Sequence, residues 1–525
     1  MLFKGLCRAA AILAILAVLA SHRAGAQAEP IAGLDKYVED AMRTWQVPGI
    51  AIAIVRNDSV LMARGFGFLQ AGQPARVDDQ TIFAIASLTK AFTAAAAGML
   101  VDRGAIGWDT LTKALLPDFR LRDAWVTDHL TLRDMLTHRT GLTGGDWLRL
   151  SGQNDRAEIL RQMRLLDFDA SFRSRYLYSN LMYLAAGEAL AARAGTSWDA
   201  FVRDELFVPL GMLRSSTSAC ALRGMSNVAL PHELTKGKPA VVPRLNLDNA
   251  APGGGISASV SDMANWLRMQ VADGEFGGKR LLSHAALSEM HRIQVPIAFG
   301  AVSSSRYPEI RFMGYGMGWF ALDYRGEKLL RHSGWIDGFR SEAALLPDRR
   351  VGIVVLSNRG NQEFANDLPD VLRNWILDRI LAGPSVDWSK TLLVAAEKGH
   401  REEEENRKKL YASRRVGSRL PRALPAYAGT YSDSLYGHAV VRAQNGRLTL
   451  WFGPRHTAPL EYWDGERFMA RWENPSYGEQ EVTFSVVDGV PTQLESGGIV
   501  FRRKSNETST AHYASPSVSC AAAAK

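Results

Sequence analysis

Strand-like stretches stand at both ends of the first 385 residues and helical ones fill the middle, and that order restricts the fold more than any other feature of the chain. Residues 34–45 place Leu34, Tyr37, Val38, Ala41, Met42 and Trp45 on one helical face, and Val47-Pro48-Gly49 ends the pattern. Residues 50–55 form an apolar run of strand length, Asn57-Asp58-Ser59 supplies a turn, and residues 60–66 return as a second strand. The centre reads as helices over 87–101, 132–136, 157–166, 181–194, 198–206 and 261–271, with a glycine-rich turn at 251–255. Beyond Tyr315 the period shortens to strands at 317–324, 328–331, 342–346 and 351–357, joined by tight turns that favour antiparallel pairing, and 364–381 closes as a helix. The predicted class is α/β: an antiparallel sheet flanked by helices, with a helical insertion between its first and last strands.

The rest of the chain divides by composition. Residues 386–420 are a charged linker, in which Glu402 to Glu405 precede Arg407, Lys408 and Lys409 at helical i,i+4 spacing, and Pro421 and Pro425 stop it. Residues 421–504 carry short strands with Asn445-Gly446, Asp464-Gly465 and Asp488-Gly489 as regularly spaced hairpin turns, the pattern of a small all-β barrel or sandwich. Residues 505–525 are a small-residue tail expected to be disordered. At the other end, Lys4 and Arg8 precede a short apolar run from Ala9 to Ala20 and the small residues AGAQA. About 12 apolar residues fall short of the roughly 20 that span a bilayer, so 1–28 reads as a cleaved signal and 29–385 as the main domain of an exported, periplasmic or secreted protein. Cys220 and Cys520 remain after cleavage, and their pairing stays open.

Composition excludes some classes. A 46% apolar and 22% charged chain supports a packed core. The formal charge of +8 suits anionic cell-envelope polymers as well as it suits a merely solvated surface, and no nucleic-acid motif accompanies it. No Cys/His cluster has zinc-ligand spacing, and neither a metal nor another cofactor is expected.

Three short motifs carry chemistry, each occurring once. Ser87-Leu88-Thr89-Lys90 opens a helix with almost no charge on it. Residues three apart share a helical face, so Lys90 lies beside the Ser87 hydroxyl, and an amine there can take the proton that keeps a serine a weak nucleophile. A lysine on a buried helix is costly unless it has a task. Tyr178-Ser179-Asn180 precedes the helix at 181–194; a phenolic oxygen can move protons and a carboxamide can orient a substrate amide, although a phenolate near neutral pH needs a neighbouring positive charge, which Lys90 would supply. His332-Ser333-Gly334 sits on a predicted strand whose backbone can face an extended substrate, with the glycine allowing close approach. Taken singly, the second motif reads better as a core tyrosine with a capping asparagine, and the third better as a satisfied strand-end histidine.

The order S-x-x-K, Y-x-N, H-x-G over residues 30–385 resembles the serine β-lactamase and D-alanyl-D-alanine peptidase superfamily, in the branch of AmpC-like lactamases, D-aminopeptidases, carboxypeptidases and esterases. Val47-Pro48-Gly49, the stretch from Leu136 to Leu142, Pro209-Leu210-Gly211-Met212 and Pro252-Gly253-Gly254-Gly255 add to the likeness, and the β-rich residues 421–504 resemble the lipocalin-like domain of some members. The resemblance implies Ser87 as acylated nucleophile, Lys90 and Tyr178 as the proton-handling pair, and Asn180, His332 and Gly334 as substrate contacts. It also implies the backbone N–H groups of Ser87 and Trp335 as oxyanion hole. His332 stands where many relatives have lysine, and imidazole is only partly charged near neutral pH, so acyl-enzyme chemistry is better supported than β-lactam hydrolysis. The expected function is hydrolysis of an amide or ester in a small-molecule or peptide substrate: a D-amino-acid peptide, a short acyl ester or a β-lactam. A catalytically silent envelope sensor on the same fold, or a β-domain that carries the main function, stands as the alternative. The sequence leaves the oligomeric state open.

Overall fold

The computed structural model describes residues 31–298 and 310–504; the expected signal and tail, with Cys520, lie outside them. Cys220 is disulfide-bonded. The first helix, α1 (Leu34–Thr44), leads into β1 (Gly49–Arg56) and β2 (Ser59–Gly67). The helical middle follows, including α2 (Thr89–Asp102), α3 (Asn180–Ala194) and α4 (Val260–Val271). The chain then returns through β3 (Val295–Ile297), β4 (Met313–Tyr315), β5 (Phe320–Tyr324), β6 (Glu327–Ile336), β7 (Phe339–Leu346) and β8 (Val351–Ser357). These strands form one antiparallel sheet in the order β2-β1-β8-β7-β6-β5-β4-β3. The first hairpin and the last strands meet at the β1–β8 seam, where Ile50 to Arg56 pair with Ser357 to Val351, as a helical insertion requires.

Both faces of the sheet are covered, which is why β1 reads as an uninterrupted apolar run. Ala51, Ala53 and Val55 join the core shared with the middle helices, while Ile50, Ile52 and Ile54 join a second core with α1 and with α5 (Leu368–Ile380). Gly187 lets α3 lie against Pro252, since a Cβ there would stand 2.4 Å from the proline ring.

Three expectations are corrected. Residues 251–255 are not simply a turn: Ala251–Gly254 is a short helix started by Pro252. The sheet has more strands than foreseen, because β3 and the separate β4 are too short for a two-residue period to register. The charged linker begins inside the fold, since α6 (Trp388–Ala412) buries Trp388, Leu392 and Ala396 in the second core and only its later turns are solvated.

Beyond α6, eight strands, β9 (Gly429–Asp433), β10 (Gly437–Gln444), β11 (Arg447–Trp451), β12 (Thr457–Asp464), β13 (Arg467–Arg471), β14 (Glu479–Val487), β15 (Val490–Ser496) and β16 (Ile499–Arg503), pair in sequence and close as a barrel through β9 and β16. Asn445 and Asp488 adopt left-handed backbone at their turns, as their Asn-Gly and Asp-Gly pairs predict. Closure removes the exposed strand edges.

Candidate active site

Ser87 lies in a 3-10 turn, Ala86–Leu88, immediately ahead of α2. Ala86 beneath it is left-handed, φ 47°, a conformation that costs an alanine about 1–2 kcal/mol and that presents the serine at a sharp bend. One turn on, Lys90 is fully buried. Its Nζ contacts Ser87 Oγ at 3.1 Å, Asn180 Oδ1 at 2.8 Å and the Gly253 carbonyl at 2.5 Å. Burial, and then Arg149, hold the amine well below the ordinary lysine value, with Asp146 opposing. A neutral amine has two hydrogens and one lone pair. Asn180 Oδ1 and the Gly253 carbonyl can only accept, so they take both hydrogens, and the lone pair faces Ser87, the one partner with a proton to give.

Tyr178 Oη donates to Ser87 Oγ at 2.8 Å from the other side. Burial pushes its hydroxyl far above the ordinary tyrosine value. The phenolate considered from the sequence is therefore not the resting form, since the neutral Lys90 supplies no charge to stabilise it. The fully buried His138 backs this ring at 4.3 Å between centroids, and its Nδ1 accepts the Ser179 N–H at 3.0 Å, a scaffolding position.

Asn180 opens α3. While Oδ1 accepts from Lys90, Nδ2 donates to both Asp146 oxygens at 3.2 Å, and Arg149 holds the same carboxylate through Nε at 2.9 Å and Nη2 at 3.0 Å. The Asn180 amide is thus already engaged at both ends. Sequence reasoning missed Asp146 and Arg149: they stand at the start of and within a single helical turn, Trp147–Leu150, too short for a period to register, and Gly-Gly-Asp-Trp-Leu-Arg carries no family motif.

His332 departs most from expectation. It is 2% exposed, and burial pushes its ring down to about 3, so it is a neutral imidazole. Nδ1 faces the Ser333 carbonyl at 2.7 Å and Nε2 the Tyr315 hydroxyl at 3.2 Å, which leaves neither nitrogen for a substrate. Gly334 is corrected too. A Cβ there would stand 2.2 Å from Ser341 Oγ and 2.3 Å from the Ile85 carbonyl, so the glycine lets β6 close on the turn that carries Ser87 rather than making room for substrate. Gly334→Ala is expected to lower stability by about 1–3 kcal/mol through overpacking and to slow acylation as well; urea unfolding beside single-turnover rates checks both, and an alanine variant as stable as the parent would contradict this packing.

The edge of β6 is open where the site needs it. A two-residue turn, Asp337-Gly338, closes the β6–β7 hairpin on the Ile336–Phe339 pair. Such a pair is hydrogen-bonded, and hydrogen-bonded pairs recur every second residue, so His332, Gly334 and Ile336 face β7 while Ser333 and Trp335 turn their backbone groups the other way. On that side β5 covers β6 only as far as Arg331. The Trp335 N–H therefore points into the open edge beside the Ser87 turn.

Among the described residues no group of three or more His, Cys, Asp or Glu side chains could hold a metal ion, and no helix is long and apolar enough to cross a membrane.

Residues 34–373 match the model of the family described as Beta-lactamase, and residues 413–503 match a domain of unknown function, DUF3471. The chain is 28% identical to an unguisins hydrolase of Aspergillus violaceofuscus, over 79% of this chain and 77% of the relative. It is 31% identical to penicillin-binding protein 4 of Amycolatopsis lactamdurans, over 61% and 84% respectively. In three dimensions it resembles the octameric penicillin-binding protein homologue of Pyrococcus abyssi, with TM-score 0.58, 22% identity, and coverage of 89% of this chain and 98% of that one. A SurE structure follows with TM-score 0.53, 20% identity and coverage of 90% and 98%.

Proposed function

Because the chain belongs to the beta-lactamase family and is a serine hydrolase, we propose that it cleaves an amide or ester through an acyl intermediate on Ser87. The observation that carries this reading is the placement of Ser87 Oγ between the Lys90 amine and the Tyr178 hydroxyl, with both other Lys90 contacts restricted to accepting.

As Oγ attacks the substrate carbonyl carbon, its proton passes to the Lys90 lone pair, and the carbonyl π electrons move to oxygen, where the Ser87 and Trp335 N–H groups meet the developing charge. Collapse of the tetrahedral adduct expels the leaving amine or alcohol. Tyr178 delivers its proton to that group and is reprotonated from Lys90, which restores the neutral amine. Water then attacks the acyl carbon and gives its proton to the same pair; the bond from that carbon to Ser87 Oγ breaks as the proton returns to Oγ, and the acid leaves with Ser87 and Lys90 restored.

The substrate we favour lacks a carboxylate that needs a fixed cation: a D-amino-acid peptide or a short ester, ahead of a β-lactam. His332 is neutral, Arg149 is paired with Asp146, and Arg331 and Arg340 are paired with Glu342 and Asp370. The relatives' names point to different substrates, so the neutrality of the site decides the preference. A panel of p-nitrophenyl esters, D-alanyl anilides and nitrocefin tests it, with nitrocefin expected to be the poorest; nitrocefin as the best substrate would reverse the preference.

Tyr178→Phe keeps the ring and removes only the oxygen. Its expected cost is roughly 10²- to 10⁴-fold in the acylation rate, the range for lost general acid–base catalysis, with KM nearly unchanged. Single-turnover kinetics on one ester reads it, and retention of more than about a tenth of the rate would remove Tyr178 from proton transfer.

A further inference from the structure

The C-terminal barrel meets the catalytic domain at two places next to the reacting groups. The first is Trp147, adjacent in sequence to Asp146. Its indole lies in the barrel's mouth, 4.7 Å from the His456 ring and 5.4 Å from that of Phe452, in edge-on contact with both. It lines the barrel's interior together with Ala439, Leu450, Trp472 and Phe501, where a cavity of only about 20 Å³ remains. That is room for about one water molecule and for no larger ligand. The backbones around this plug also touch closely: a Cβ on Gly453 of the barrel would lie 2.4 Å from the Ser151 carbonyl. The second place is the turn that follows Trp335, where Asn474 of the barrel donates to Asp337 Oδ2 at 3.2 Å.

We propose that the barrel is a positioning element of the active site, which grips Trp147 and so fixes the Asp146 carboxylate that orients Asn180 and, through it, Lys90. The proposal rests on the acyl-serine reading above. Its logic is one of amide orientation. Asn180 has one accepting and one donating end. With Asp146 taking the donating end, Oδ1 must face Lys90 and draw one hydrogen of the amine away from Ser87. If Asp146 is displaced, the amide is free to turn and present its NH₂ group to Lys90. The lone pair of the amine is then drawn toward that donor and away from the serine proton. Asp146 precedes a single helical turn, Trp147–Leu150, which the catalytic domain anchors through the buried Leu148 and through Arg149 on the carboxylate, while the side chain of Trp147 is held by another domain. Trp147 and Asp146 are therefore positioning residues that act through Asn180, and the barrel completes the site instead of serving as a separate carrier of ligands.

The test uses the full-length protein and four variants: Trp147→Ala, Trp147→Phe, Asp146→Asn and the Trp147→Ala/Asp146→Asn double. The readouts are kcat and KM on the best ester, thermal midpoints, and acylation followed by intact mass. Trp147→Ala and Asp146→Asn should each lower kcat by about tenfold or more with KM changed less than about threefold, because orientation of the proton acceptor matters in the chemical step. Trp147→Phe, which still fills the mouth, should stay within about threefold of the parent, and the double variant should be no worse than the poorer single by more than about twofold, since both changes break one relay. Normal kcat in Trp147→Ala or in Asp146→Asn, or multiplicative losses in the double, would overturn the proposal. If Trp147→Ala does not fold, Asp146→Asn and Trp147→Phe decide alone: an unimpaired Asp146→Asn, or a Trp147→Phe as slow as Asp146→Asn, refutes it. A parent protein never acylated on Ser87 would defeat the underlying reading instead, which intact mass reveals before any variant is compared.

Discussion

Ser87→Ala is expected to abolish turnover and covalent labelling, with a loss of about 10⁴-fold or more, the scale on which hydroxyl-nucleophile enzymes fail when the nucleophile is deleted. The substitution removes one oxygen from a half-buried turn. Tyr178 loses the acceptor of its hydrogen bond and Lys90 loses its donor, so a stability cost of about 1–2 kcal/mol is expected, small enough to leave the fold intact. Both consequences are measurable on one preparation. Intact mass after a fluorophosphonate probe should show one adduct on the parent and none on the variant, while circular dichroism and the thermal midpoint report the fold. An adduct of normal yield on the alanine variant would remove Ser87 from the mechanism.

What the sequence made legible and what it did not have separate physical causes. Local period carried the fold: β1 reads as a strand because Ile50, Ile52 and Ile54 alternate with Ala51, Ala53 and Val55, and both sets are buried. The barrel was readable from its Asn-Gly and Asp-Gly turns, where left-handed backbone is needed. The neighbourhood of Ser87 and Lys90 follows from three-residue helical spacing. Properties set by tertiary burial were not readable. The imidazole of His332 looks like a candidate cation in the sequence and is neutral in the fold, because Tyr315, Phe320 and Tyr178 surround it from separate segments. Gly334 looks like room for a substrate and proves to be room for Ile85 and Ser341. Asp146 gives no signal because its significance arises only where α3 delivers Asn180 and the barrel receives Trp147. Likewise, the charge of α6 hides the three apolar residues that anchor its first turns.

Lys90→Met should lower the acylation rate by about 10³-fold or more, within and beyond the range for a lost general base, and should also change how stability depends on pH. In the unfolded chain the amine keeps its proton up to its ordinary value of 10.5, whereas in the fold burial drives the proton off well below that value. Folding at a pH between the lowered value and 10.5 therefore releases a proton, a cost that shrinks as the pH climbs toward 10.5 and vanishes above it. Methionine has the length of the stem and no proton to lose. The unfolding free energy of the parent minus that of the variant should consequently rise with pH over the interval between the lowered folded value and 10.5, at a slope approaching one proton's worth of linkage, about 1.4 kcal/mol for each pH unit. Tyr178, His138 and His332 are present in both proteins, and their contributions largely cancel in the difference. The sign is diagnostic: a lysine held charged in the fold by a partner would give a flat difference over this range. The same neutral amine sets the rate profile, which should fall on the acid side as Lys90 takes up a proton and closes its lone pair to Ser87. Urea unfolding of both proteins across the pH series, together with acylation rates of the parent, measures both effects. A flat stability difference would show that Lys90 rests as a cation, and the base that deprotonates Ser87 would then have to be found elsewhere.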